Sequence, residues 1–392
     1  MRPIAVRRPK GSSVDHFGLT TAPHKRIEPK SRPKEAGSRL VERAAVRGYR
    51  AAAWVIGHVP ERGARIAFAT GTQASYLLWP LKRRWSNANF GHVLGLPPDD
   101  PRVRRLARAA YRQYARYLVE LMRLPSRDPE EVGRLVSVHD LDVVEPLWRA
   151  SPGGLIFAAG HVGNNEAVAA GIAHRGWPIS VVADDSSFPE MFDLLRRQRE
   201  SWGVKVIGWR NLRQIYEVLK RHEMLALLVD WGYRSDGIPV KLFDAWTTLP
   251  AGPATLAAKT GSRIVSVAIK RNGDGSFEVR WSPPISVPSS SPADLVQATQ
   301  AMADALQQTI AAAPDQWYNF KPIWPATAEE SAELERRAIA ALAGSGSAVG
   351  PSVEEEPPAD IVQLAEAPPL TAADAPRVPA GDAPLAAEPE PS

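Results

Sequence analysis

The segment AAGHVGNNE, Ala158 to Glu166, places a histidine and a carboxylate five residues apart, where an apolar run gives way to a helical one. Five residues of regular helix turn through about 140°, so the two side chains cannot share a face inside one helix. They meet if His161 lies in the loop and Glu166 in the first helical turn. Gly160 and Gly163 permit so tight a loop. A carboxylate on one imidazole nitrogen fixes the tautomer and leaves the other nitrogen as a base. The helix start around Gly163, Asn164 and Asn165 would supply amides for an oxyanion and contacts for a substrate. Histidine, acid and amides, with no Ser or Cys nucleophile, suit the activation of an acceptor hydroxyl. An acyl group would then pass directly from a thioester to that hydroxyl. An ordinary polar residue in a βα loop fits the same bare spacing, so the surrounding elements must decide.

Those elements fall into two parts. Residues 41–57, 64–79 and 102–123 read as helices, the second ending at Pro80. In the third, Val103, Leu106, Ala110, Tyr114, Tyr117 and Leu121 recur at three- and four-residue spacing. Beyond Pro152, short apolar runs at 154–159, 178–183, 204–208, 225–230, 263–270 and 277–281 alternate with helical stretches at 164–175, 189–201, 211–222 and 252–260. This alternation predicts an α/β fold: a mostly parallel central sheet flanked by helices on both faces, preceded by an N-terminal helical, membrane-associating region. Right-handed crossovers would align the strand C-termini along one edge, where ligands usually bind. Helices at 293–312 and 327–343 close the ordered part.

The charge is unevenly spread. The chain carries 48 Lys and Arg against 43 Asp and Glu, a net +5. Residues 1–40 hold ten basic and three acidic side chains, and residues 351–392 hold one basic and nine acidic. Both ends are rich in proline, so 1–40 and 344–392 are expected to be disordered around a single domain at 41–343, helical over 41–125 and α/β over 126–343. The absence of Cys excludes disulfide scaffolds, Cys-ligated zinc and thiol nucleophiles. No G-x-S-x-G occurs, which argues against a serine hydrolase. No apolar run reaches the length of a membrane span. His161, Glu166 and His174 lack an evident arrangement for a metal, and none is expected.

In this setting His161-x4-Glu166 resembles the motif of the bacterial lipid A biosynthesis (lauroyl/myristoyl) acyltransferase family, and looks closest to its phosphatidylinositol mannoside acyltransferase branch. Four further segments resemble the family in order: FDLLRRQRESWG with Arg199 and Gly203, LALLVDWG with Asp230, VKLFDAWTTLPAGP, and the Trp-rich PDQWYNFKPIW ending at Trp324. Together they cover about 41–325. The resemblance implies His161 as catalytic base, Glu166 as its partner, Asp230 as a second acid near the same pocket, and Arg199 as a contact for anionic substrate groups. The branch often has Asp where this chain has Glu166. Its further acid is often Glu followed by Arg, whereas here Asp230 is followed by Trp231.

The implied activity is transfer of a fatty acyl chain from acyl-CoA or acyl carrier protein to a glycolipid hydroxyl, with no cofactor and no acyl-enzyme. A lysophospholipid acyltransferase, a thioesterase or a catalytically weak lipid-binding scaffold of the same fold are the alternatives. Arg104, Arg108, Arg112 and Arg116, four apart, form a basic stripe beside an apolar one, and Lys82, Arg83 and Arg84 lie between Trp79 and Trp85. Such surfaces suit an anionic membrane. A monomer on the cytoplasmic face of the plasma (inner) membrane is expected, with membrane lipids as partners. No nucleic-acid partner is expected, since no helix-turn-helix, finger or RNA-binding motif accompanies the basic balance.

Overall fold

A computed structural model describes residues 36–185 and 188–343. The terminal segments expected to be disordered lie outside the described residues, except that the first helix already begins at Ala36. Four helices come first: α1 (Ala36–His58), α2 (Glu61–Leu78), α3 (Pro80–Leu94) and α4 (Pro101–Arg123). Pro80, expected only to end a helix, opens α3 as well. Its missing N–H costs nothing in the first helical turn. Asp100 caps α4 by accepting from the amide of Arg102 at 2.7 Å. The buried face of α4 runs through Val103, Ala107, Ala110, Tyr111, Ala115 and Val119. It is rotated from the expected stripe, because the small alanines let the helix approach its neighbours closely.

The sheet part follows. A short helix α5 (Pro129–Leu135), strand β1 (Val136–Val138) and helix α6 (Leu141–Ala150) precede the alternating elements and give no periodic signal long enough to read from sequence. Then come β2 (Leu155–Ala159), α7 (Asn165–His174), β3 (Ile179–Ala183), α8 (Pro189–Glu200), β4 (Lys205–Gly208), α9 (Leu212–Lys220) and β5 (Met224–Leu228). After a hairpin, β6 (Ile238–Leu242) and β7 (Ala245–Leu249), the chain continues through α10 (Gly252–Thr260), β8 (Arg263–Arg271), β9 (Phe277–Trp281), α11 (Pro292–Ala312) and α12 (Ala328–Ala343). The hairpin falls in the segment VKLFDAWTTLPAGP. Phe243 and Asp244 take left-handed φ of 48° and 58°, the tight two-residue turn that matches strand twist.

The central sheet has seven strands in the order β1-β9-β8-β2-β5-β3-β4. Every neighbouring pair is parallel except β8 with β9. Alternation along the strands feeds two cores. Ile156, Ala158, Leu225 and Ile264 pack with Val218 of α9, Ala257 of α10 and Leu306 of α11. Leu155, Phe157, Met224 and Val265 pack with Val132 of α5, Leu147 of α6 and Val168 of α7. Both faces are therefore covered, which is why the strands are continuously apolar. Among the described residues no helix is long and apolar enough to cross a membrane.

Leu225 is fully buried at the centre of the sheet. Leu225→Ala should cost about 2–5 kcal/mol. The cost should appear as a lower urea midpoint at unchanged slope in a denaturation curve.

Candidate active site

β2 and β5 are parallel neighbours, with Ala159 in register with Leu228. Two residues beyond each, the chain delivers His161 and Asp230 side by side at the C-terminal edge of the sheet. Asp230 Oδ1 accepts from His161 Nδ1 at 2.6 Å, and Oδ2 accepts from the His161 amide at 2.9 Å. Trp317 Nε1 donates to the same Oδ2 at 2.9 Å, and the Asn319 side chain donates to the Asp230 carbonyl. The Asp230 side chain is 1% exposed and that of His161 33%. The carboxylate is thus locked inside while the imidazole reaches the surface. With an ionised carboxylate on Nδ1, that nitrogen carries the proton and Nε2 is left as the base.

Burial disfavours charge on Asp230, but His161 and the donors around it outweigh burial and hold its carboxyl below the ordinary range. Burial also works against the imidazolium. The Asp230 carboxylate outweighs that too and lifts His161 above its usual value, with Lys321 opposing.

Glu166 is not the partner that orients His161. Its carboxylate is taken by Arg199 in a two-pronged pair, Nε to Oε2 at 2.8 Å and Nη2 to Oε1 at 2.5 Å. From the first turn of α7, Glu166 lies over the α7 face of the sheet, whereas His161 stands beside the extension of β5. Strand order is the cause: adjacency of β2 and β5 brings in an acid 69 residues away in place of the one five residues away. Arg199 ends α8. Gly203, at φ 83°, turns the chain just beyond the helix end and so sets the Arg-x3-Gly spacing. Beneath the pair a cavity of about 100 Å³ opens between α7 and the sheet, lined by Asn165, Glu166 and Arg199 at one end and Phe157, Ile172, Val181 and Leu228 within. His161 is not in its lining. Burial, reinforced by the charge of Glu166, raises the phenols of Tyr49 and Tyr117 above their ordinary value, so both stand neutral beside the pair.

The loop between dyad and helix is heavily anchored. Gly163 has φ 69°, and a Cβ there would sit 2.6 Å from Ile269 Cγ2. Asn164 is buried: its Oδ1 caps α7 at the Ala167 amide, 3.0 Å, and its Nδ2 donates to Glu120 Oε2, 3.0 Å. Gly163 and Asn164, expected to touch substrate, instead build the loop. Asn165 Nδ2 ties back to the Gly160 carbonyl at 3.0 Å, and its side chain reaches the cavity. The helix-start amides expected to serve an oxyanion are partly committed. Ala167 is capped, and Gly163 donates to the Gln316 carbonyl at 3.1 Å. Those of Asn165 and Glu166 have no acceptor among the described residues.

Behind this loop lies a cluster that the sequence did not signal. Arg271, 1% exposed at the end of β8, donates to Glu120 of α4 at 2.8 Å and to the Tyr318 hydroxyl at 2.9 Å. Gln316 clasps the Arg271 backbone, and the Tyr318 amide donates to the His161 carbonyl at 2.8 Å. Trp317, Tyr318 and Asn319 lie inside the Trp-rich segment quoted above, so their signal was present as a motif. Glu120 sits on a helix rich in arginine and Arg271 directly follows Lys270, so neither stood out as a site residue. Arg116 is also drawn into this cluster, 3.1 Å from Glu120. The basic stripe on the exposed face of α4 is therefore Arg104, Arg108 and Arg112. Lys82 Nζ lies 4.5 Å over the Trp79 ring, Arg83 donates to the Leu77 carbonyl at 3.0 Å, and Arg84 is exposed. His174 lies in the last turn of α7, away from His161.

The family model for bacterial lipid A biosynthesis acyltransferases matches residues 35–325. A phosphatidylinositol mannoside acyltransferase of Mycolicibacterium smegmatis is 30% identical over 298 residues, covering 74% of this chain and 93% of that protein. A protein of the same name from Mycobacterium tuberculosis is 28% identical over 316 residues, covering 78% and 96%.

The pair makes a pH-dependent contribution with a definite sign. Asp230, held low, stabilises the fold above the ordinary carboxylate range. His161, held high, stabilises it below about pH 6.5, and this is lost as the pH rises through the elevated folded value. Asp230→Asn should therefore destabilise the protein more at pH 5.5 than at pH 8.5 in parallel denaturation curves. Its His161 ring should titrate at lower pH by NMR.

Proposed function

Because the chain belongs to the bacterial lipid A biosynthesis acyltransferase family, we propose that this acyltransferase moves a fatty acyl chain from acyl-CoA or acyl carrier protein to a hydroxyl of a phosphatidylinositol mannoside or similar glycolipid. The observation that carries the reading is the His161–Asp230 pair, with a buried, triply hydrogen-bonded carboxylate and a solvent-reaching imidazole.

In this mechanism His161 Nε2 removes the proton from the acceptor hydroxyl as its oxygen attacks the thioester carbonyl. Asp230 stabilises the imidazolium that forms. The tetrahedral intermediate collapses to the new ester and expels the thiolate, which takes the proton from His161. No acyl-enzyme is needed. The Glu166–Arg199 pair shapes the mouth of the apolar cavity beside the reaction centre, where the start of an acyl chain would lie. No cofactor takes part.

The reading places the enzyme on the surface of a membrane. Leu77, Leu78, Trp79 and Leu81 are exposed at the α2–α3 corner, beside Lys82, Arg83 and Arg84. Arg108 of the α4 stripe donates to Gln73 Oε1 at 3.2 Å, one turn before Leu77, so the basic stripe and the apolar corner adjoin. Exposed apolar side chains ringed by cations match an anionic bilayer surface.

His161→Asn should lower kcat/KM by about 10²–10⁴-fold in transfer of labelled palmitate from palmitoyl-CoA to phosphatidylinositol mannoside. Equal turnover by variant and parent would sink the base assignment, and lipid binding without transfer by either would favour a scaffold. The acid limb of kcat/KM should lie above the pH expected of an ordinary imidazole, because His161 must be neutral to act. Replacing Arg104, Arg108 and Arg112 with Gln should weaken cosedimentation with anionic vesicles by about tenfold or more, at roughly 1 kcal/mol per cation near the surface. Neutral vesicles should be affected much less.

A further inference from the structure

Trp231 follows the buried Asp230 directly, yet 46% of it is exposed. Its indole stands perpendicular to the His161 imidazole, with ring centroids 5.8 Å apart. The Lys321 ammonium lies 5.0 Å from the centre of the same indole and faces solvent. These side chains come from two loops that are laced together. The Tyr233 amide donates to the Pro322 carbonyl at 2.9 Å, and Asn89 Nδ2 donates to the Lys321 carbonyl at 2.7 Å. Gly232, at φ 116°, brings the first loop so near the second that a Cβ would lie 3.2 Å from the Pro322 carbonyl oxygen. The backbone beneath the indole and the ammonium is therefore fixed, while both groups are presented at the rim of the reaction centre. The mechanism above uses neither.

We propose that Trp231 and Lys321 form a subsite for a phosphate ester that carries a ring, holding the ring against the indole and the phosphate on the ammonium beside His161. The chemistry follows from the two groups. An exposed indole packs against the flat apolar side of a sugar, cyclitol or nucleoside, and an ammonium without a protein carboxylate partner among the described residues takes a phosphate. The proposal rests on the reading of the site as an acyltransferase centre for glycolipids. It adds which substrate group is gripped there. Both a phosphodiester headgroup of the acceptor and the phosphates of a CoA donor have this chemistry. Next to the imidazole such a grip orients the substrate as well as binding it.

The test is steady-state kinetics of the full chain and of Lys321→Met, Lys321→Arg, Trp231→Ala and Trp231→Phe. Palmitoyl-CoA and phosphatidylinositol mannoside are varied in turn, each against a saturating level of the other. Lys321→Met and Trp231→Ala should each raise the KM of the same substrate by about tenfold, the scale of one contact to a charged group. Lys321→Arg and Trp231→Phe should recover most of the loss. A rise in the acceptor KM assigns the phosphate to the lipid headgroup, and a rise in the donor KM assigns it to CoA. Unchanged KM values for both substrates, or variants that move different substrates, would overturn the subsite. If the unaltered protein transfers nothing, the functional reading fails, and calorimetric titration with CoA and with glycerophosphoinositol then decides the subsite. At least a tenfold loss of affinity in Lys321→Met supports it. Equal affinity in variant and parent, or no binding by the parent, rejects it.

Discussion

A single buried carboxylate holds this site together. Asp230 has lost nearly all its water, and a lone charge in that position would cost several kcal/mol or take up a proton. It stays ionised because His161 contributes both its ring N–H and its amide, and because Trp317 turns its only polar atom inward. The donors come from two places: the loop after β2 supplies both groups of His161, and the segment after α11 supplies Trp317. The charge therefore fixes two stretches of chain relative to the end of β5. In the proposed mechanism an imidazole held in this way needs little reorganisation when it takes up a proton.

The second constraint is the buried Arg271–Glu120 pair. Removing one partner of such a pair leaves an uncompensated charge, so its members hold one another in place. Glu120 reaches Asn164, Arg271 reaches Tyr318 and, through Gln316, the Gly163 amide. These contacts run to both sides of the His161 loop. Through this cluster α4, a helix of the N-terminal layer, becomes part of the support of the His161 loop. The same helix carries the outward Arg104, Arg108 and Arg112. One element thus links the surface assigned to lipid with the loop assigned to chemistry.

Parallel strand order explains why Asp230, and not the Glu166 that the spacing suggested, meets His161. In a sheet ordered β8-β2-β5-β3, the residue after β2 lies beside the residue after β5, so a carboxylate far away in sequence is the near one in space. The nearby Glu166 is carried by α7 over the face of the sheet and meets Arg199 at the end of α8. A guanidinium fork matches a carboxylate with two bonds, and the pair closes one end of an apolar cavity rather than tuning a base.

The alternation of strands and helices, the two-sided covering of the sheet, and the candidate residues His161, Glu166, Arg199 and Asp230 are legible in the amino-acid sequence. These follow from local periodicity and from ordered motifs, which are properties of short stretches of chain. Short elements such as β1, α5 and α6, and the hairpin turned by Phe243 and Asp244, carried too few residues for a period to show. The tertiary structure alone decided which acid serves His161, that Asn164 and Gly163 build the loop, that Arg116 belongs to a buried cluster, and that Glu120, Arg271 and Trp317 support the site. Those facts depend on which strands become neighbours and which side chains lose water together. Both are set by the free energy of the whole packed core, and no window of sequence contains it.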